Sequence, residues 1–132
     1  NLFNEKNNGI AVQKLISNKL VNSVHDISAG GILTTLTEMC ISGGIGAKIK
    51  IPQNNINVFE YLFGEDQSRY IVEIKKENKK EVTEFLEKTS IYYDIIGETQ
   101  TDNIELNKDF KIPINELKKA NSSWFKNYYK DN

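Results

Sequence analysis

A strand, a polar turn and an amphipathic helix follow one another within the segment 20–42, with two consecutive glycines near the junction. The turn has the sequence HDISAGG, in which Asp26 ends a strand-like segment and Gly30 and Gly31 lie at the start of the helix. Apolar residues at positions 32, 33, 36, 39 and 40 have the spacing of one helix face. Such a helix start presents main-chain N–H groups, with a carboxylate beside them, to an approaching anion. The segment therefore predicts a site for a phosphate or a Mg²⁺-phosphate group.

Strand-like and helix-like segments alternate along the whole chain. Apolar residues at helical spacing mark the helices, and short apolar or alternating runs mark the strands. We expect helices or helical turns at 10–20, 28–42, 57–62, 77–89 and 114–129. We expect strands at 20–26, 47–51, 69–74, 91–97, 104–106 and 110–112, with a hairpin turn at 101–103. This alternation predicts an α/β or α+β sandwich, in which one mixed β-sheet is flanked by helices.

Length and charge restrict the classes of protein to which the chain can belong. Its 132 residues are enough for one domain with its own core and few for two. The 17 basic and 18 acidic residues leave a net charge of -1, which favours neither nucleic acid nor an anionic membrane surface as a partner. No apolar run approaches the length of a membrane span, and the single cysteine, Cys40, suits a reducing cytoplasm. We therefore expect a cytoplasmic protein that binds neither nucleic acid nor membranes.

The residues before position 9 suggest where the domain begins. The chain opens with Asn1 instead of methionine, and the stretch 4–8 contains only asparagine, glutamate and lysine. A polar stretch of this kind is typical of a linker that leads into a domain. We expect residues 1–8 to be a linker remnant and residues 9–132 to form the domain, as a fragment of a longer chain.

Two roles are open to Asp26 from the residues alone. A carboxylate that follows a strand can bind Mg²⁺ while the neighbouring glycines admit a phosphate to the backbone. The alternative is that Asp26 or Ser28 caps the helix by accepting a hydrogen bond from one of its unpaired N–H groups. The two roles are compatible. We take Asp26 as the candidate metal ligand. The candidate phosphate-binding residues are Ser28, Gly30 and Gly31.

The only histidine and the only arginine each stand in a polar cluster. A triad or zinc site would have to be built around the single imidazole of His25, and a structural role is the usual one for such a residue. The sequence FGEDQSR places Glu65, Gln67 and Arg69 at the start of a strand. The guanidinium can pair with a neighbouring carboxylate or with a ligand. An acidic surface turn with a weak salt bridge is an equally simple interpretation of this segment.

Four segments together resemble the C-terminal, AIR-synthetase-related domain of the phosphoribosylformylglycinamidine synthases. They are HDISAGG at 25–31, EM at 38–39, GGIGA at 43–47 and LFGEDQSRY at 62–70. The wider superfamily includes aminoimidazole ribonucleotide synthetase, selenophosphate synthetase and thiamine-phosphate kinase. The pairing of an HDxSxGG turn with an FGEDQxR segment points to the purine enzyme within it.

This resemblance implies a part of an ATP-dependent ligase of purine biosynthesis. In that family ATP activates the amide oxygen of formylglycinamide ribonucleotide as an iminophosphate, and ammonia released from glutamine displaces the phosphate to give the amidine. Mg²⁺ and helix N-termini neutralise the triphosphate during the transfer. The implied cofactors are Mg²⁺ and ATP or ADP. The implied partners are the remaining domains of the same polypeptide and the glutaminase and small accessory subunits of the synthase complex.

The resemblance also implies roles for single residues. Asp26 matches the aspartate that approaches Mg²⁺, and the turn with Gly30 and Gly31 matches the phosphate-proximal loop. Ala29 stands where some members carry an acidic residue, so a second metal-facing carboxylate is not expected at that position. No catalytic residue is assigned to this chain. The side chains expected to shape the interdomain cleft or to contact the ligand are His25, Glu65, Gln67 and Arg69.

A second function class fits a chain of this size. Sandwiches of sheet and helix also serve as stand-alone ligand-binding or regulatory domains without catalytic activity. A generic regulatory domain has no need of both the HDISAGG and the FGEDQSR segments, so their pairing distinguishes the two hypotheses. We therefore expect the C-terminal domain of the ligase, with a Mg²⁺-nucleotide half-site.

Overall fold

The chain forms two compact units, each assembled from two separate stretches of sequence. The computed structural model describes residues 2–52, 57–107 and 110–130, apart from the side chains of residues 124–126 and 130. The first unit combines residues 1–35 with 62–95, and the second combines residues 36–61 with 96–132. The sequence predicted a single domain. Length alone could not reveal the division, because neither unit is continuous along the chain.

Helices and strands alternate as the sequence predicted. The helices are α1 (Leu2–Ser17), α2 (Gly31–Gly43), α3 (Val58–Phe63), α4 (Lys79–Lys88) and α5 (Ile114–Lys130). The strands are β1 (Ser23–Asp26), β2 (Gly46–Ile49), β3 (Tyr70–Glu73), β4 (Gly97–Gln100), β5 (Asn103–Leu106) and β6 (Phe110–Pro113). A short 3₁₀ helix, Lys76–Asn78, precedes α4. Among the described residues, no helix combines the length and the apolar character that crossing a membrane requires.

The first unit packs α1 and α4 together beside a two-stranded sheet. Strands β1 and β3 pair antiparallel, with Ser23 opposite Glu73 and Asp26 opposite Tyr70. Each helix buries apolar residues between the two, and burial of apolar surface supplies most of the stability of a small unit. The buried cluster consists of Ala11, Leu15, Leu20, Val82 and Leu86.

The second unit contains a four-stranded mixed sheet in the order β4-β2-β5-β6. Strands β2 and β5 are parallel, whereas β4 and β6 pair antiparallel with their neighbours. The central strands bury residues on alternate positions, which is the period of a half-buried strand. These buried residues include Ala47, Ile49, Ile104 and Leu106. The mixed sheet with helices that the sequence predicted is therefore confirmed.

Two predictions for residues 91–103 are wrong. The expected strand at 91–97 is irregular up to residue 96, and β4 begins only at Gly97. The turn at 101–103 does not close a hairpin, because β4 and β5 both pair with β2, which lies between them. The same turn residues fit either connection, and only the pairing partner decides between them.

The expected linker at the N-terminus is helical in the structure. Helix α1 begins at Leu2, so residues 2–8 form its first two turns. The side-chain amide of Asn8 donates a hydrogen bond to the carbonyl of Ser68 at 2.9 Å. Residues 2–8 are therefore part of the first unit, and the boundary at residue 9 is not a structural one.

We predict that truncation of Leu15 destabilises the chain far more than truncation of its neighbour. Leu15 is 2% exposed in the core of the first unit, whereas Ile16 is 52% exposed. Replacing a buried leucine with alanine loses burial and leaves a cavity, so Leu15→Ala should lower the free energy of unfolding by about 2–5 kcal/mol. The control Ile16→Ala should change it by no more than about 0.5 kcal/mol. Urea unfolding of the two variants measures both values, and equal losses would contradict this core.

Candidate functional site

The turn between β1 and α2 has a left-handed backbone at both glycines. Strand β1 ends at Asp26 and helix α2 begins at Gly31. Gly30 has φ +81° and Gly31 has φ +68°, values that residues other than glycine rarely adopt. The amide of Gly31 donates to the carbonyl of Ser28 at 3.1 Å. The glycine pair of the sequence is therefore used for a tight turn that ends where a helix starts.

Close packing at Gly31 brings the end of α3 against this turn. A Cβ atom on Gly31 would lie 2.6 Å from the main-chain carbon of Phe63 and 2.7 Å from the carbonyl oxygen of Leu62. Real Cβ atoms do not come this close to backbone, so no other residue fits without moving the chain. The segment FGEDQSR, which starts at Phe63, is consequently held beside the turn.

The main-chain amide of Gly30 has a carboxylate as its partner. Its N–H donates a hydrogen bond to Oε1 of Glu65 at 2.8 Å. Charge-assisted bonds of this type are stronger than bonds between neutral groups. The two motifs are 35 residues apart in sequence and meet in this bond. The sequence predicted that Gly30 contacts a phosphate. In the structure its amide instead contacts the carboxylate of Glu65.

Arg69 stabilises the FGEDQSR loop, to which it belongs. One terminal guanidinium nitrogen donates to the carbonyl of Gly64 and lies 3.6 Å from the carboxylate of Asp66, and Nε donates to the Asp66 carbonyl at 3.4 Å. The carbonyl of Arg69 accepts from the amide of Ile27 at 2.8 Å. The sequence left open whether Arg69 pairs with a carboxylate or with a ligand. In the structure it pairs with Asp66 and the loop backbone.

The loop is also tied to α1, through a residue that sequence reasoning missed. Ser68 has a positive φ of +68°, a conformation that is strained for a residue with a side chain. Asn8 donates its side-chain amide to the carbonyl of Ser68 at 2.9 Å and to its hydroxyl at 3.1 Å. No local pattern could identify Asn8, because its partner lies 60 residues away in the chain.

His25 and Asp26 contact each other at the end of β1. The Nδ1 atom of His25 lies 2.7 Å from the carbonyl of Asp26 and 3.5 Å from its carboxylate. Thr35, which is 1% exposed, donates its hydroxyl to the same carbonyl at 3.4 Å. The side chain of Asp26 is 67% exposed. The carbonyl of Asp26 is therefore engaged within the unit, while its carboxylate faces solvent beside the imidazole.

The structure does not support the alternative in which Asp26 or Ser28 caps α2. Among the described residues, neither side chain hydrogen-bonds an amide of that helix, and Ser28 contributes its carbonyl instead. Glu65 satisfies the amide of Gly30 from a distant segment. This contact resembles a capping box, in which a glutamate reaches the N-cap amide. Gln67 is exposed in the same loop.

The side chains available as metal ligands determine which metal ion this turn could bind. Within residues 2–52, 57–107 and 110–130, no group of three or more His, Cys, Asp and Glu side chains is arranged to hold a metal ion. Mg²⁺ commonly uses one or two carboxylates and takes its remaining oxygen ligands from substrate phosphates and water. The exposed carboxylate of Asp26 fits that mode of binding. It does not fit a closed site built from protein ligands alone.

Residues 1–107 match the sequence model of a protein family, described as "AIR synthase related protein, C-terminal domain". The chain is similar to phosphoribosylformylglycinamidine synthase subunit PurL of Pelagibacter ubique, with 46% identity over 128 residues. The matched region covers 97% of this chain and 18% of that relative. The chain thus spans less than one fifth of the length of the relative that it matches.

Solved structures share the fold. A structure described as T. maritima PurL complexed with ATP superposes with a TM-score of 0.72 at 21% identity, over 86% of this chain and 21% of that one. The structure of PurLQS from Thermotoga maritima superposes with a TM-score of 0.73 at 22% identity, over the same shares of the two chains. At this level of identity, the likeness establishes the architecture of the domain.

We predict that alanine at Gly31 is destabilising beyond the effect of its left-handed backbone. Gly44 is the matched control, since its φ is +64° and its Cβ position has no atom within 4 Å. Gly44→Ala should cost about 1–2 kcal/mol from the left-handed conformation alone. Gly31→Ala should cost a further 1–3 kcal/mol or so, because the added methyl group overlaps the backbone of α3. Urea unfolding compares the variants, and equal losses would contradict the close packing at Gly31.

Proposed function

The chain belongs to the family of AIR synthase related proteins, as their C-terminal domain, and from that premise we propose that it is the C-terminal domain of a phosphoribosylformylglycinamidine synthase. The 46% identity to a PurL subunit across 97% of the chain carries this proposal. The full enzyme would be an ATP-dependent ligase of purine biosynthesis, which converts formylglycinamide ribonucleotide to the amidine with ammonia from glutamine. The chain would contribute one nucleotide half-site to that enzyme.

The half-site in this proposal is the turn between β1 and α2. A PurL of the same fold has been solved in complex with ATP. In this chain, two left-handed glycines and the start of a 13-residue helix stand next to an exposed aspartate. Main-chain amides at a helix start attract phosphate groups, since the helix dipole adds to their partial positive charge. Ser28, Gly30 and Gly31 are the proposed contacts of the phosphates.

Asp26 is the residue proposed to hold Mg²⁺ together with the nucleotide. The metal would neutralise phosphate charge during phosphoryl transfer. Asp26 supplies one anionic oxygen, and His25 and Thr35 fix the backbone that carries it. An exposed carboxylate can join the coordination shell without the large desolvation that a buried charge would require. The role of Asp26 is therefore to orient the metal-bound phosphates toward the turn.

The remaining polar residues are proposed to shape the cleft. Arg69 holds the loop that carries Glu65 and Gln67, and His25 stands beside Asp26. In this proposal none of the four takes part in proton or phosphoryl transfer. Their proposed contribution is to hold the turn and the loop in one arrangement in the absence of nucleotide.

The proposal extends to partners and location. The other domains of the same polypeptide would complete the site, since the matched relative is more than five times as long. A glutaminase would supply the ammonia, and small accessory subunits would be further partners in the synthase complex. The fold match to a chain of PurLQS supports this part of the proposal. The buried thiol of Cys40 suits the reducing cytoplasm in which such a complex would work.

We predict that Asp26→Asn weakens retention of Mg²⁺-nucleotide by the full-length synthase. Asparagine keeps the shape of the side chain but removes the charge that the metal requires. Asp26→Ala should weaken retention at least as much. Because the carboxylate does not cap α2, both variants should unfold within about 0.5 kcal/mol of the wild type. Nucleotide released by denaturing the purified enzymes is the measurement.

Asp66→Asn is the matched control for this experiment. It removes a carboxylate of the same unit, 84% exposed, that pairs with Arg69 instead of facing the turn. Its nucleotide content should equal that of the wild type. Equal nucleotide content in wild type and Asp26→Asn would remove the proposed metal role of Asp26.

We also predict that the 132-residue chain alone forms no amidine from formylglycinamide ribonucleotide, ATP and ammonia. One exposed carboxylate and one turn cannot position a substrate, a triphosphate and ammonia together. A chromatographic assay of the purified chain measures the product, with the full-length enzyme as the positive control. Steady product formation by the isolated chain would contradict the assignment as a half-site. If nucleotide binding by the full enzyme does not depend on this domain, a regulatory role for the domain is favoured instead.

A further inference from the structure

In the proposed half-site, the amide of Gly30 already binds an anionic group, the carboxylate of Glu65. Glu65 Oε1 accepts the Gly30 N–H at 2.8 Å, at the residue that directly precedes α2. A nucleotide phosphate that used this amide would have to take the position of the carboxylate. Two anions cannot share one N–H donor without strong repulsion, because like charges at contact distance are destabilising.

We propose that Glu65 is an autoinhibitory anion, which occupies the Gly30 amide and leaves it when a nucleotide phosphate binds. This inference rests on the proposed function of the turn and adds a regulatory step to that same site. The carboxylate keeps the amide paired and the left-handed turn in place in the absence of nucleotide. Binding of the phosphate then exchanges one charge-assisted hydrogen bond for another.

The surroundings of Glu65 allow its side chain to move while its backbone stays in place. Glu65 is exposed, and within the described part of the chain its carboxylate has the Gly30 amide as its single hydrogen-bond partner. Rotation into water therefore leaves no buried charge behind. The loop backbone on either side is held by the Arg69 guanidinium and by the amide of Asn8. The motion would be a change of side-chain rotamer, which exposed residues make rapidly.

A purely structural role for Glu65 makes the opposite prediction. If the carboxylate only fixes the turn, its loss should loosen Gly30 and weaken nucleotide binding or leave it unchanged. If the carboxylate competes, its loss should strengthen binding, because apparent affinity falls with the fraction of protein whose site is blocked. The sign of the change in affinity therefore separates the two roles.

The test uses the nucleotide-free full-length synthase and ADP with Mg²⁺, measured by isothermal titration calorimetry. The relevant site is the one at which Asp26→Asn weakens ADP binding. Glu65→Gln keeps the length and an acceptor oxygen but removes the negative charge. It should tighten ADP binding at that site by about three- to tenfold, as expected when a blocked fraction of roughly 70–90% is released. Glu65→Ala, which has no acceptor at all, should tighten binding as well.

Asp66→Asn controls for the general loss of a negative charge nearby. Its carboxylate pairs with Arg69, not with the turn, so ADP affinity should stay within about twofold of the wild type. A similar gain in Asp66→Asn would mean that long-range charge, not competition at Gly30, is responsible, and would overturn the inference.

The remaining outcomes separate this inference from the proposed function. Unchanged or weaker ADP binding in both Glu65 variants, with Asp26→Asn still weakening it, overturns the competition alone. If Asp26→Asn does not alter ADP binding at any site, the proposed half-site fails and the competition fails with it.

Discussion

The close approach of two backbones at Gly31 is the constraint on which the candidate site depends. The position of a Cβ atom on this residue is already filled by the main chain of Phe63 and Leu62. Because no side chain separates them, the end of α3 lies directly against the turn that starts α2. The FGEDQSR loop leaves α3 from this point, and Glu65 comes within reach of the Gly30 amide. The absence of a Cβ atom at Gly31 therefore allows two motifs that are distant in sequence to come together.

The charges around the turn are largely paired inside the first unit. Glu65 faces an amide, Arg69 faces Asp66 and loop carbonyls, and the imidazole of His25 stands beside Asp26. Exposed pairs of this kind contribute little to stability, since water screens them. Their effect is on geometry, because each one restricts where a loop or side chain can lie. The carboxylate of Asp26 is exposed and borders the turn, which is why the proposal assigns the metal to it.

Membership of the family and the local structure support different parts of the functional argument. The match over residues 1–107 and the identity to a PurL subunit identify the type of domain. The contacts of the turn show which groups are available to a ligand and which already have partners. A resemblance alone would assign Gly30 to a phosphate without recording that its amide is occupied. The structure places the carboxylate of Glu65 on this amide. If the carboxylate competes with a ligand, it raises the ligand concentration needed for half-saturation by the inverse of the unblocked fraction.

The sequence by itself determined the local elements of this protein. Helical spacing after the glycine pair located α2, alternation located most strands, and the two motifs identified the family and the turn that carries the candidate site. Only the tertiary structure decided the partner of the Gly30 amide, the anchoring of Ser68 by Asn8, the position of β2 between β4 and β5, and the division into two units. Residue spacing reports which face of an element is apolar, because the period of a helix or strand is local. It carries no information on which distant segment meets that face, since this depends on packing between atoms that are far apart along the chain.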